Sequence, residues 1–306
     1  MRDLYLSKKM EFKMINTGIR SIRDPFVLVT DDAYYLYGSD VASGWERCGY
    51  ACFKSTDGLH GEWKRIETPI YKIPDDAVKN FWAPEVHKYK GNYYLFGTYF
   101  SAKTNHRGCT VMRASSPEGS FVEISDGVLT PADWDAIDGT LCFDENGDPW
   151  MIFVHEWTST EDRVGRMAVA RLSEDLSRFV SAPTDIFRAD SPSWTSRGCT
   201  DGPFAYRTED GQLLMLWSNF VGKDYCVGIA RSVNGRVDGE WSHDASLLYS
   251  KEISGNKDGG HGMIFRDRDG TSYLAIHSPN LATDEEREEV VFIPVTEENG
   301  TLACII

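Results

Sequence analysis

The sequence has no CxxC pair. Its seven cysteines are odd in number, and Cys48 and Cys52 have no histidine near them in sequence. A zinc site or a disulfide framework is therefore not expected, and reduced thiols are. There is no basic run either. With 47 acidic against 32 basic residues the formal charge is −15, which disfavours nucleic acid and anionic membranes as partners. No apolar run approaches a membrane span. The N-terminus, MRDLYLSKKMEFKM, has no apolar stretch and cleavage site of the kind that directs secretion. A cytoplasmic location follows as an expectation. Segments rich in Ala, Leu and Glu at helical length are also missing. What is present is 41% hydrophobic residues in a chain of 306, enough to bury a large core.

Those apolar residues come in short runs that repeat. Residues 19–40 hold a polar head with Asp24 and Pro25, an apolar run Phe26–Val29, an acidic turn at Asp31 and Asp32, and a second run Tyr34–Tyr37. Two such runs split by a short turn read as a β-hairpin. The same design returns with the heads FWAPEV, IDGT, TDGPF and GGHG. Each hairpin is followed by a tail of one or two further strands, as in STDGLHGEW. The hairpin turns fall at 32, 91, 147, 211 and 270, a spacing of about 60 residues. About four short strands per unit, five times over, predict an all-β fold: a five-bladed β-propeller of four-stranded antiparallel blades around a central channel. The repeat takes up the chain as one domain, 1–306, with no length left for an accessory domain.

In a propeller the first strand of each blade lines the channel, so the five heads converge on one funnel. They bring Asp24, Trp82 with Glu85, Asp138, Asp201 and His261 together. Three carboxylates recur at the same place in three blades. A single Asp in such a motif is more often a turn former; the recurrence is what points to a site. Acids crowded in this way repel, so at least one keeps its proton near neutral pH while another stays ionised. Opposed protonation across a bond suits glycoside hydrolysis, and wide separation across a funnel suits inversion. A third carboxylate would orient the acid. Trp82, Phe81, Trp134, Trp157 and Trp194 are candidates to stack on sugar rings; Trp217, on a strand, reads as core. Glu85 reads as structural. His261 could bind a central cation or water.

RDPF at Arg23–Phe26, FWAPEV at Phe81–Val86, IDGT at Ile137–Thr140 and GGHG at Gly259–Gly262 together resemble glycoside hydrolase family 43, over essentially the whole chain. The resemblance implies the five-bladed propeller, an inverting mechanism and activity on arabinose-, xylose- or galactofuranose-containing glycans. It implies that Asp24 is the general base and that Asp138 modulates and orients the acid. It also places His261 in a channel where some members hold calcium. Arg287 matches an arginine that contacts the terminal sugar. The chain departs from the family at the acid, where Asp201 stands in place of the usual Glu, one methylene shorter. The expected function is an exo-acting α-L-arabinofuranosidase or β-xylosidase taking small oligosaccharides, with no required cofactor. The alternatives are an endo-arabinanase, a non-catalytic sugar-binding propeller and a phosphorylase. The last would need a basic phosphate pocket, toward which the heads offer only Arg23.

Overall fold

A computed structural model describes residues 13–280 and 286–306 of the chain. A lone strand β1 (Ile15–Arg20) precedes the first blade. That blade is β2 (Ile22–Val29), β3 (Tyr34–Asp40), β4 (Gly49–Ser55) and β5 (Lys64–Arg65). The second is β6 (Ala77–Tyr89), β7 (Asn92–Ser101), β8 (His106–Ala114) and β9 (Val122–Glu123). The third is β10 (Ala136–Phe143), β11 (Pro149–His155), β12 (Arg166–Arg171) and β13 (Thr184–Arg188). The fourth is β14 (Asp201–Arg207), β15 (Leu213–Val221), β16 (Asp224–Ser232) and β17 (Trp241–His243). The fifth holds β18 (Gly260–Arg266), β19 (Ser272–Ser278), β20 (Glu289–Glu298) and β21 (Thr301–Cys304). Each blade pairs its strands in order, antiparallel, and the fold is the expected five-bladed propeller. Among the described residues the only helical pieces are a 3₁₀ turn at Trp45–Arg47 and one α turn at Lys251–Ser254.

The fifth blade differs at its outer edge. There β20 pairs with both β1, along Glu289–Phe292, and β21, along Val295–Glu298, which lie end to end on its outer edge. The first strand among the described residues therefore closes the last blade. Ile15 and Ile19 alternate inward, as period-2 patterning requires, and Arg20 Nε meets Glu289 Oε1 at 2.7 Å.

Apolar side chains fill the gaps between blades. Ile152 and Val154 of blade three pack with Met215 and Trp217 of blade four. Leu214 and Leu216 meet Ile264 and Leu274 of blade five. Phe96 and Val111 meet Met151 and Phe153. Trp217 is fully buried, as its strand position predicts. All seven cysteines are free thiols.

One local device is repeated in every blade. The first strand slips register against the second at the same place, between Arg23 and Phe26, Trp82 and Glu85, Ile137 and Thr140, Asp201 and Phe204, and Gly260 and Met263, and β6 slips twice more ahead of Trp82. The residues opening these bulges are Asp24, Ala83, Asp138, Gly202 and His261, with φ of 54, 48, 58, 52 and 51°. Left-handed backbone is easiest for Gly and tolerated by Asp and His, so four of the five heads carry residue types suited to it. A bulge bends the strand and re-aims a side chain; here it turns the head toward the channel.

Candidate active site

Each bulge exposes one backbone N–H that needs an acceptor. In four blades a side chain on the second strand of the preceding blade supplies it. Ala83 N donates to Ser39 Oγ at 2.7 Å, Asp138 N to Thr98 Oγ1 at 3.0 Å, and His261 N to Ser218 Oγ at 2.9 Å. Asp24 N donates to His277 Nδ1 at 3.2 Å, joining the first blade to the fifth. The fourth blade is the exception. The matching position on β11 is Val154, opposite Ile137, which can accept nothing. Gly202 N donates instead to Asp138 Oδ2 at 3.0 Å. An apolar residue in one blade thus commits one carboxylate to the strand that carries Asp201.

The three acids line one cavity of about 480 Å³ at the channel mouth, together with Arg23, Trp45, Trp82, Glu156, Trp157 and Tyr225 among others. They are not at equivalent positions. Asp24 and Asp138 open their bulges, whereas Asp201 lies one residue earlier and Gly202 takes the bulge. The expectation of one carboxylate position used three times therefore holds for two of the acids.

Their environments push them apart. Burial alone would raise Asp24. His261, His277, Arg23 and the Ser39 hydroxyl outweigh it and hold the carboxyl below its ordinary value. His261 Nδ1 lies 3.2 Å from Asp24 Oδ1, and Ser39 Oγ donates to Oδ2 at 2.7 Å. Burial raises Asp201, and the nearby Asp138 raises it further. Tyr225 OH donates to Asp201 Oδ2 at 3.1 Å, and Cys199 Sγ lies 3.5 Å from the same oxygen. Asp138 is also raised, by burial and by Asp24, against the pull of His261 at 3.8 Å. His261 loses charge stability to burial, but Asp24, Asp138 and Asp201 more than restore it and raise its pKa. Burial and Arg23 push His277 well down. Its Nδ1 accepts from Asp24 N, so its Nε2 carries the proton shared with Asn280 Oδ1 at 3.1 Å. Arg23 Nη2 in turn donates to Asn280 Oδ1 at 2.6 Å.

Four of the sequence candidates sit elsewhere. Phe81 is buried among Tyr50, Tyr71 and Tyr99. It neighbours Trp82 on one strand, so the two face opposite ways, and only Trp82 reaches the cavity. Trp194 lies against Trp217 at 5.1 Å, and its ring fills the space a Cβ on Gly228 would need. Trp134 stacks on His155 at 3.7 Å. Arg287 is exposed and outside the cavity lining. The next residue, Glu288, turns inward instead, its Oε1 3.4 Å from Arg23 Nη1. Arg23, by contrast, is buried in the cavity lining, stacked 4.4 Å from the Trp45 ring. Glu85 is buried, with Oε2 2.9 Å from His87 Nε2. Among the described residues no group of three or more His, Cys, Asp or Glu is disposed to hold a metal ion. Nδ1 of His261 faces Asp24, so only its Nε2 would be left to hold the expected calcium.

Sequence reading missed Trp45, Glu156, Arg163, Arg197, Phe220, Tyr225 and Asn280, all in the lining. They come from connections and strand ends rather than heads. Trp45 stands on the 3₁₀ turn between β3 and β4, edge-on to Trp82 at 6.1 Å.

An ionised acid and a protonated acid facing one aromatic-walled cavity at a propeller mouth define a glycoside-cleaving enzyme. The comparison with known sequences gives the same class and narrows it. Residues 18–301 match the glycosyl hydrolases family 43, and the chain belongs to that family. It is a glycosidase that hydrolyses O-glycosyl bonds with inversion. It is 24% identical over 296 residues to the extracellular exo-α-(1→5)-L-arabinofuranosidase of Cellvibrio japonicus, covering 85% of this chain and 80% of that one. It is 24% identical over 185 residues to the extracellular endo-α-(1→5)-L-arabinanase 1 of Bacillus subtilis, 57% of this chain and 55% of that one. The crystal structure of an endo-arabinase from Bacteroides thetaiotaomicron superposes with a TM-score of 0.79 at 33% identity, covering 94% of this chain and 99% of that one. Both sequence relatives are named extracellular, so the cytoplasmic expectation gains no support. No helix among the described residues is long and apolar enough to cross a membrane.

Proposed function

We propose that the chain hydrolyses α-L-arabinofuranosyl linkages in arabinose-containing glycans, releasing single sugars. Asp24 is the general base, Asp201 the general acid and Asp138 the group that orients and tunes the acid. The opposed protonation of Asp24 and Asp201 within one cavity carries this reading. Asp24 takes a proton from water as the water oxygen bonds to the anomeric carbon. The bond to the leaving oxygen breaks as Asp201 gives that oxygen its proton. Solvent then resets both carboxyls, and the sugar leaves with inverted configuration. His261 and Arg23 keep Asp24 ionised, while Trp82 and Trp45 offer apolar faces to the sugar.

The shorter acid has local support. Tyr225 is wedged against Gly260, where a Cβ would meet its ring at 2.6 Å. It holds the Asp201 carboxyl by hydrogen bond. A second reading, endo-arabinanase, is favoured by the Bacteroides neighbour at 33% identity. Chromatography of products from linear α-1,5-arabinan separates the two. Arabinose as the sole early product supports exo action; a ladder of oligomers supports endo action. A panel of aryl pentosides tests the sugar. Turnover confined to β-xylosides would overturn the arabinose assignment, and NMR showing the retained anomer first would overturn the scheme.

A further inference from the structure

The cavity wall on blades three and four carries two arginines, Arg163 and Arg197. Their segments run side by side: Gly165 N donates to Gly198 O at 2.6 Å, and a Cβ on Gly198 would lie 2.9 Å from Arg163 O. Both side chains are exposed, yet both are braced. Arg197 stacks 4.3 Å from the Phe220 ring, and Arg163 Nη1 donates to Thr158 O at 2.8 Å. Among the described residues neither has a carboxylate in ion-pair range. Nearby Arg166 and Arg188 share Asp162 at 2.9 and 2.6 Å. A chain of net charge −15 thus leaves two ordered guanidiniums uncompensated at its cavity. A neutral sugar does not call for them; a planar carboxylate matches their donor fork.

The same wall carries Cys199 and Asp201. The acid protonates the leaving oxygen, so this wall faces the leaving group. We propose that Arg163 and Arg197 form a subsite for a carboxylate on the leaving-group side, making the preferred substrate an acidic glycan in which the cleaved sugar is linked to a uronic-acid-bearing chain. This rests on Asp201 being the acid.

The test is calorimetric binding to the Asp24→Asn variant, which removes turnover from the measurement. The ligands are a pentose oligosaccharide bearing one uronic acid and the same oligosaccharide after reduction of its carboxyl to the alcohol. The acidic form is expected to bind about five- to tenfold more tightly at low salt, with the preference shrinking as salt rises. The preference should vanish in Asp24→Asn carrying Arg163→Gln and Arg197→Gln, whose melting temperature is checked for retained folding. Equal affinity, no binding of either form, or a preference that survives the double substitution overturns the subsite. Wild-type turnover that requires inorganic phosphate also overturns it, because the arginines would then hold a reactant. Wild-type turnover of neutral arabinan is measured separately, and its failure bears on the arabinose assignment alone.

Discussion

Asp201 is the residue on which the site turns, and its surroundings make three predictions. Replacing Asp24 or Asp201 by Ala should lower kcat by about 10²–10⁴-fold, with the far-UV spectrum unchanged. Full activity in Asp24→Ala would remove the base assignment. Tyr225→Phe removes a donor that favours the ionised carboxylate. The acid should then hold its proton to higher pH, and the alkaline limb of kcat/KM should move upward while the acid limb stays. An unmoved alkaline limb would mean that Tyr225 only fills space. Burial and Asp138 also make Asp201 a cost to folding. Its pKa is raised above the unfolded value, so its share of stability is complete below about pH 4 and lost as pH climbs through the folded value. Asp201→Asn should therefore melt on the order of 2 °C higher than wild type at pH 7 while being inactive. A lower melting temperature would contradict the burial argument. Asp24, Asp138, Asp201, Trp82 and His261 could be found from sequence because they sit in repeated heads. Phe81 was a parity error: alternation along β6 sends it and Trp82 to opposite faces.

At the scale of the element, the bulge is the unit that matters. It recurs five times, and its N–H acceptor lies in the neighbouring blade. Thr98→Val is close in shape and leaves Asp138 N without its acceptor. The expected cost is about 1–3 kcal/mol, read as a lower urea midpoint at unchanged m. No shift would mean that the bulge relaxes to another partner. Hairpins and their turns were legible because turn residues and period-2 runs are local signals. The cavity walls were not. Arg163 and Arg197 lie in connections whose path no period fixes, and Tyr225 stands at a strand end opposite Phe220. The exchange at Val154 was equally hidden, since it depends on which residue of blade three faces which of blade four.

For the molecule as a whole, the number of blades was readable from spacing, but the way the ring shuts was not. β1 reads as a lead-in and turns out to be an outer strand of the last blade. Ile19 is buried there at 6% exposure, so Ile19→Ala should cost about 2–4 kcal/mol. Calorimetry should show one transition displaced downward, because opening the ring loosens the interfaces on both sides of blade five. A separate early transition would instead mark the fifth blade as independent. The same closure sets an order of events at the ribosome. Asn16 and its partner Glu289 are 273 residues apart, so β1 emerges roughly a quarter of a minute to a minute before β20 is made. Throughout that interval β1 waits for a partner that has yet to be translated.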